Sequence, residues 1–218
     1  GLTGTAPVGS AQHAADALKK LKVAKNGDPW HRDGWLFQMI SWIAANQEKQ
    51  GAVLAPPHIF HAHKGFDGVQ LEISGDGKSV TAVVIFEDKA TEKARRTIKR
   101  DVWPDIADLE AGGRIAELTH EASAILERQQ HQYPDLDIDD AIDRILWQEA
   151  RRYRVSISID DKHKPGDQRK KLFKHYDASA AGNVVRRRAE TMHFDDLREW
   201  MANFSHLVAE KIKAIANV

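Results

Sequence analysis

Two acidic residues and a lysine stand where they could hold a divalent cation beside a phosphate. Asp67 lies in Lys64-Gly65-Phe66-Asp67-Gly68, and Glu87 and Lys89 close the apolar run Val83-Val84-Ile85-Phe86. Residues two apart on a strand point to the same face, so Glu87 and Lys89 are expected to project together and Asp88 away from them. Gly75-Asp76-Gly77 reads as a hairpin turn. Asp67 and Glu87 each lie about ten residues from its middle, so folding the hairpin brings them level. Hard cations such as Mg²⁺ prefer carboxylate oxygens and keep several waters. A bound metal lowers the pKa of a water and stabilises charge on a phosphoryl group, and a neighbouring lysine orients that water or neutralises the phosphate. Charges at the end of so apolar a strand need such a partner, because burying an unpaired charge is costly. Taken one at a time, Glu-x-Lys is an ordinary solvated ion pair and Asp67-Gly68 a turn. The weight lies in their order along one hairpin.

The elements around this hairpin follow from periodicity. Residues 11–25 read as a short basic helix, ended by Asn26-Gly27-Asp28-Pro29. Residues 30–50 carry Trp35, Leu36, Met39, Ile40, Trp42 and Ile43 at helical spacing. Residues 53–54 and 58–63 look extended, with Pro56-Pro57 between. Val69, Leu71 and Ile73 alternate as a half-buried strand, and residues 80–86 form an apolar, central one. Residues 91–100 are a basic helix, which 104–109 continue after a kink until Gly112-Gly113. Helices follow at 114–130 and 139–152, a strand at 153–159, a helix at 168–179, a strand at 183–193, and a terminal helix at 195–216 with Asp195 as its N-cap. Such mixing implies an α/β chain, a central sheet covered by helices on both faces. Residues 1–29 are expected to be an N-terminal extension with one helix, and residues 30–218 a single domain.

The arrangement resembles the PD-(D/E)XK nuclease superfamily over residues 30–159. The positions of its motif are Asp67, then Glu87 and Lys89, with Phe66 standing where the family often has its proline. The resemblance implies a restriction-endonuclease-like three-layer core with a mixed sheet: a helix, three strands that begin antiparallel, a helix and a fourth strand. It implies Mg²⁺ or Mn²⁺ held by Asp67, Glu87 and the carbonyl of Asp88, and an attacking water positioned by Lys89. Members often add a Glu or Gln from the first helix. Glu48 is the first candidate here, with Gln38 and Gln47 behind it. The implied activity is DNA phosphodiester hydrolysis, in a bacterial defence or DNA-processing setting. Two alternatives stay open: a catalytically inactive interaction domain of the same fold, and an RNA-directed nuclease.

Lys93, Arg95, Arg96, Lys99 and Arg100 follow the motif directly and could grip phosphates. A solvated helix face would have the same composition. Further basic groups lie at Lys162 to Lys174 and at Arg186, Arg187 and Arg188. Other metal-like patterns are weaker. Asp160 and Lys162 mimic the motif but have no acid on a preceding hairpin strand. His58, His61 and His63 lack the further ligands of a zinc site. Asp135, Asp137, Asp139 and Asp140 lack the glycine and glutamate of a calcium loop and read as a helix cap.

Composition sets outer bounds. The chain has 218 residues, 42% hydrophobic and 29% charged, with zero net formal charge. A sizeable core can be built, but a uniformly basic nucleic-acid coat is excluded. With no cysteine, disulfides, thiolate zinc sites and cysteine nucleophiles are excluded, which fits the cytoplasm. No apolar run is long enough to span a bilayer. Neutrality suggests that a protein partner or a second copy supplies part of the grip on DNA.

Overall fold

A computed structural model of the chain describes residues 10–48, 52–54 and 65–216. Two helices come first, α1 (Ser10–Leu21) and α2 (Trp30–Glu48), followed by three strands, β1 (Ala52–Leu54), β2 (Gly68–Ile73) and β3 (Val80–Lys89). A helical stretch then runs through α3 (Ala94–Thr97), a π-helical segment (Ile98–Val102) and α4 (Trp103–Glu110). After it come α5 (Ile115–Gln129), α6 (Ile138–Leu146), β4 (Arg151–Ile159), α7 (Gly166–Leu172), α8 (Tyr176–Ser179), β5 (Arg187–His193) and α9 (Leu197–Ala216).

The five strands form one sheet in the order β1-β2-β3-β4-β5. The β1–β2 and β2–β3 pairs are antiparallel, and the β3–β4 and β4–β5 pairs are parallel. Helices flank both faces. On one face Val69, Leu71, Val83, Ile85, Val155 and Ile157 pack against α3 to α8. On the other, Val84 and Phe86 meet Ala45 of α2, and Leu36 and Phe37 of α2 pack with Leu21 of α1 and with Leu197 and Met201 of α9. β3 is therefore covered on both sides, which is why its sequence is apolar almost throughout. Among the described residues no helix is long and apolar enough to cross a membrane.

Several boundaries differ from the sequence expectation, each for a physical reason. No break separates residues 94–97 from 103–110. The helix widens to π geometry instead, which relieves the clash between a proline ring and the carbonyl one turn back just where Pro104 enters. The expected helix at 168–179 is two short ones, split at His175 with φ of 75°. The carbonyls of Leu172 and Lys174, which a continuous helix would use internally, accept hydrogen bonds from Arg95 at 2.6 and 3.2 Å. The helix expected over 139–152 stops at Leu146, because Arg151 and Arg152 already pair with Val83 and Val84 in the sheet. Residues 184–186 form a 3-10 turn capped by Asn183, so β5 starts only at Arg187. The cap of α9 is Asp196, whose side chain accepts from the amide of Glu199 at 2.9 Å, and not Asp195. Residues 58–63 lie outside the described residues.

The hairpin turn has the expected place. Gly77, at φ of 74°, takes a conformation that side chains disfavour, and its amide donates to the Ser74 carbonyl at 2.9 Å. A bulge between Glu72 and Ile73 shifts the register, so the ladder runs to Gly68 opposite Phe86. The next step places Asp67 opposite Glu87.

Candidate active site

The hairpin brings Asp67, Glu87 and Lys89 together on one face of the sheet. Lys89 Nζ lies 2.7 Å from Asp67 Oδ2 and 2.9 Å from Glu87 Oε2. The amide of Asp88 donates to Asp67 Oδ2 at 2.8 Å. The other Asp67 oxygen accepts from Gln38 Nε2 of α2. Glu87 is only 5% exposed. Its Oε2 is close enough to Lys89 for an ion pair, yet no donor among the described residues meets that oxygen at hydrogen-bonding geometry.

Burial pushes the Glu87 carboxyl up to about 7; Lys89 opposes this and Asp67 adds to it. For Lys89, burial alone would lower the pKa, but the Asp67 and Glu87 carboxylates outweigh it and hold the ammonium well above its ordinary range. Asp88 is pushed up to about 8, first by burial and then by Asp67, against the hydrogen bond from Ser41 and the charge of Arg154. The donor set fits a hard divalent cation. Two carboxylates face one another, one of them with an unsatisfied buried oxygen, and the ammonium between them marks a place where positive charge is stable.

Asp88 points to the opposite face, as alternation requires. Its carboxylate accepts from Ser41 Oγ of α2 at 2.7 Å, and Ser41 Oγ accepts from Arg154 Nη1 of β4 at 2.6 Å. Its carbonyl is thus its one route to a metal beside Glu87. From α2 it is Gln38 that reaches the site. Glu48 is ten positions further along the helix, about 15 Å at the rise of 1.5 Å per residue. The side chain of Glu48, the first candidate, lies outside the described residues. Three further residues have no signature in the sequence. Ser41 and Arg154 meet across 113 positions. Arg114, in the left-handed region at φ of 56°, places its guanidinium 4.1 Å over the Phe66 ring beside Asp67 while paired with Glu117 at 2.8 Å. It follows Gly112-Gly113 and reads in sequence as an ordinary first helical residue.

The basic helix divides. Lys93, Arg96 and Lys99 are exposed. Arg95 is bound to the carbonyls at the end of α7, and Arg100 to Asp101 at 2.6 Å. In the third basic group, Arg186 is buried, donating to the Arg151 carbonyl and pairing with Glu110 at 2.7 Å, so it is a core group and not part of a nucleic-acid track. Asp160 is exposed and binds His163. Beside it Asp161, His193 and Asp195 cluster closely enough to share a cation, but Lys164 Nζ already sits 2.8 Å from Asp161. Asp137 caps α6 through the amide of Asp140 at 2.9 Å. No protein-family model, curated protein or solved structure matches the chain.

Proposed function

We propose that this chain is a divalent-metal-dependent phosphodiesterase of the PD-(D/E)XK kind that cuts DNA. The observation that carries the reading is the meeting of Asp67, Glu87 and Lys89 within ion-pair distance at the end of a buried central strand. The order of the core supports it: a helix, an antiparallel three-strand meander, helices, then a strand parallel to the third, which is the order the resemblance implies. Asp67, Glu87 and the Asp88 carbonyl would hold Mg²⁺ or Mn²⁺, which supplies an activated water and charge stabilisation on the phosphate. Gln38 and the Asp88 amide fix the Asp67 carboxylate. Lys89 stays protonated, so it serves as a donor to the water or to a phosphate oxygen, not as a base. Arg96 and Lys99 lie on exposed helix surface after the site and would bind backbone phosphates.

The test is cleavage of DNA, with RNA in parallel, by the purified chain. Cleavage should need Mg²⁺ or Mn²⁺ and stop in EDTA. Glu87→Ala should abolish it and also remove the rise in melting temperature that Mn²⁺ gives the wild type. Lys89→Ala should abolish cleavage while sparing that rise. Cleavage undiminished in EDTA, or wild-type activity of Glu87→Ala, would refute the reading. Mn²⁺ binding without cleavage of either nucleic acid would favour an inactive domain of this fold.

A further inference from the structure

β5 ends the sheet. It pairs with β4 alone, so among the described residues its other edge bears no strand. The amide of Phe194, just past the strand, donates to the Ile159 carbonyl of β4 at 2.9 Å. Backbone groups alternate in direction along a strand, so Glu190 and Met192 also turn theirs to β4, while Ala189 and Thr191 turn theirs outward. Those outward groups meet no hydrogen-bond partner among the described residues, and Ala189 is exposed. Such a row is a template for another strand, and proteins commonly guard it with charged side chains. β5 instead carries both signs on one face, Arg188 and Glu190, with Ala189 between them.

Laid antiparallel against itself about Ala189, β5 is self-complementary. Ala189 faces Ala189, and Arg188 of each copy faces Glu190 of the other. The outward groups of the two Ala189 residues can then exchange two hydrogen bonds across the twofold axis. The Arg188–Glu190 positions become the closer, non-hydrogen-bonded pairs, where opposite charges are favourable. Centring on Glu190 would set two carboxylates opposite each other, and centring on Thr191 would face Glu190 with Met192. Apolar surface lies at both ends of the strand. Val184 and Val185, 74% and 54% exposed, stand just before it. At its far end Trp200, 42% exposed, packs on Phe194 with ring centroids 5.1 Å apart. Val185 lines the same cavity as Arg154 and Arg188, which puts it on the face that α2 and α9 cover. Antiparallel pairing sets the start of one strand beside the end of the other, so the valines of each copy meet the Phe194–Trp200 pair of its mate. Exposed apolar groups gathered in this way mark an interaction surface.

We propose that the chain forms a symmetric dimer in which two β5 strands pair antiparallel about Ala189 and join two five-stranded sheets into one. The surface lies apart from the carboxylates, and the inference does not depend on the nuclease reading.

The experiment uses the absence of cysteine, which makes a single introduced thiol report on one position. Ala189→Cys should form an intermolecular disulfide under mild oxidation. Opposed residues of a hydrogen-bonded pair lie about 5.5 Å apart at Cα, within disulfide reach. Thr191→Cys should not, because its two copies would lie four residues apart along the strands, about 13 Å. Sedimentation of the full chain over a range of concentrations should show a monomer–dimer equilibrium. Ala189→Pro removes an outward donor and leaves the bonds to β4 in place, so it should weaken association about tenfold or more. If that variant does not fold, the two cysteine variants decide. A chain monomeric at every concentration, a failure of Ala189→Cys to cross-link, equal cross-linking of Thr191→Cys, or association unchanged by Ala189→Pro overturns the proposal. Because no metal or nucleic acid enters, failure here leaves the nuclease reading standing, and the reverse also holds.

Discussion

Glu87 and Lys89 share one burial environment and respond to it in opposite senses. The carboxyl is driven toward its neutral form and the ammonium is held charged, because Lys89 has two carboxylates to answer the loss of water and Glu87 has one cation and a competing anion. Asp88, on the other side of the same strand, makes the cost measurable. Its folded pKa, about 8, lies above the ordinary 3.8. A carboxyl raised on folding contributes stability that is complete below its unfolded pKa and is lost as pH rises through the folded one. Asp88→Asn keeps an oxygen to accept from Ser41 and cannot ionise. In metal-free protein its stability relative to wild type should therefore grow from about pH 4 to about pH 8, as read by urea denaturation. A gap constant over that range would show that Asp88 is not forced to ionise in a buried place.

At the scale of the element, the basic helix that follows the motif contains two kinds of arginine. Arg95 fastens α7 by its carbonyls, while Arg96 and Lys99 face solvent. If the chain binds DNA as proposed, replacing Arg96 and Lys99 with Ala should lower the salt slope of that binding by up to about 2, near 0.9 for each phosphate no longer neutralised, with the melting temperature unchanged. Arg95→Ala should leave the slope alone and destabilise the fold by about 1 kcal/mol, the usual net contribution of a partly exposed hydrogen bond. Binding whose salt slope ignores the double substitution would turn this helix away from the substrate. Sequence spacing puts Arg96 with Arg100 and Arg95 with Lys99, but it cannot tell a solvated arginine from a structural one. That distinction is set by α7, some seventy residues away. The hairpin is legible in the sequence because its signals are local: turn glycines, alternation, and a charge ending an apolar run. Gln38 is only a secondary candidate there, since helix periodicity does not say which turn faces the strand ends. Alternation along β4 separates Arg154 and Ser156 from the apolar Tyr153, Val155 and Ile157. It does not show that α2 lies over the polar side, because nothing in a single strand says what will cover it.

At the scale of the molecule, the three motif residues lie on one stretch of 67–89, whereas the pair that anchors Asp88 between them joins distant parts of the chain. Ser41 and Arg154 are joined across 113 positions, and β3 pairs with β4 although α3 to α6 lie between them in sequence. Local hairpins close in about 1–10 μs, while contacts between distant segments form late because loop closure is unfavourable until they are rewarded. Refolding should therefore separate two clocks. Amides of the β2–β3 ladder should gain exchange protection early. Tight Mn²⁺ affinity, which needs the strand end around Asp88 held by Ser41 and Arg154, should follow the docking of β4. Pulse-labelled exchange read beside metal binding measures the interval, and metal affinity that returns together with the hairpin would show that the distant anchor is dispensable. If the chain is the nuclease proposed, such a delay would serve it where nucleic acid is present: a half-folded nascent copy would hold its motif yet lack the poise to cut.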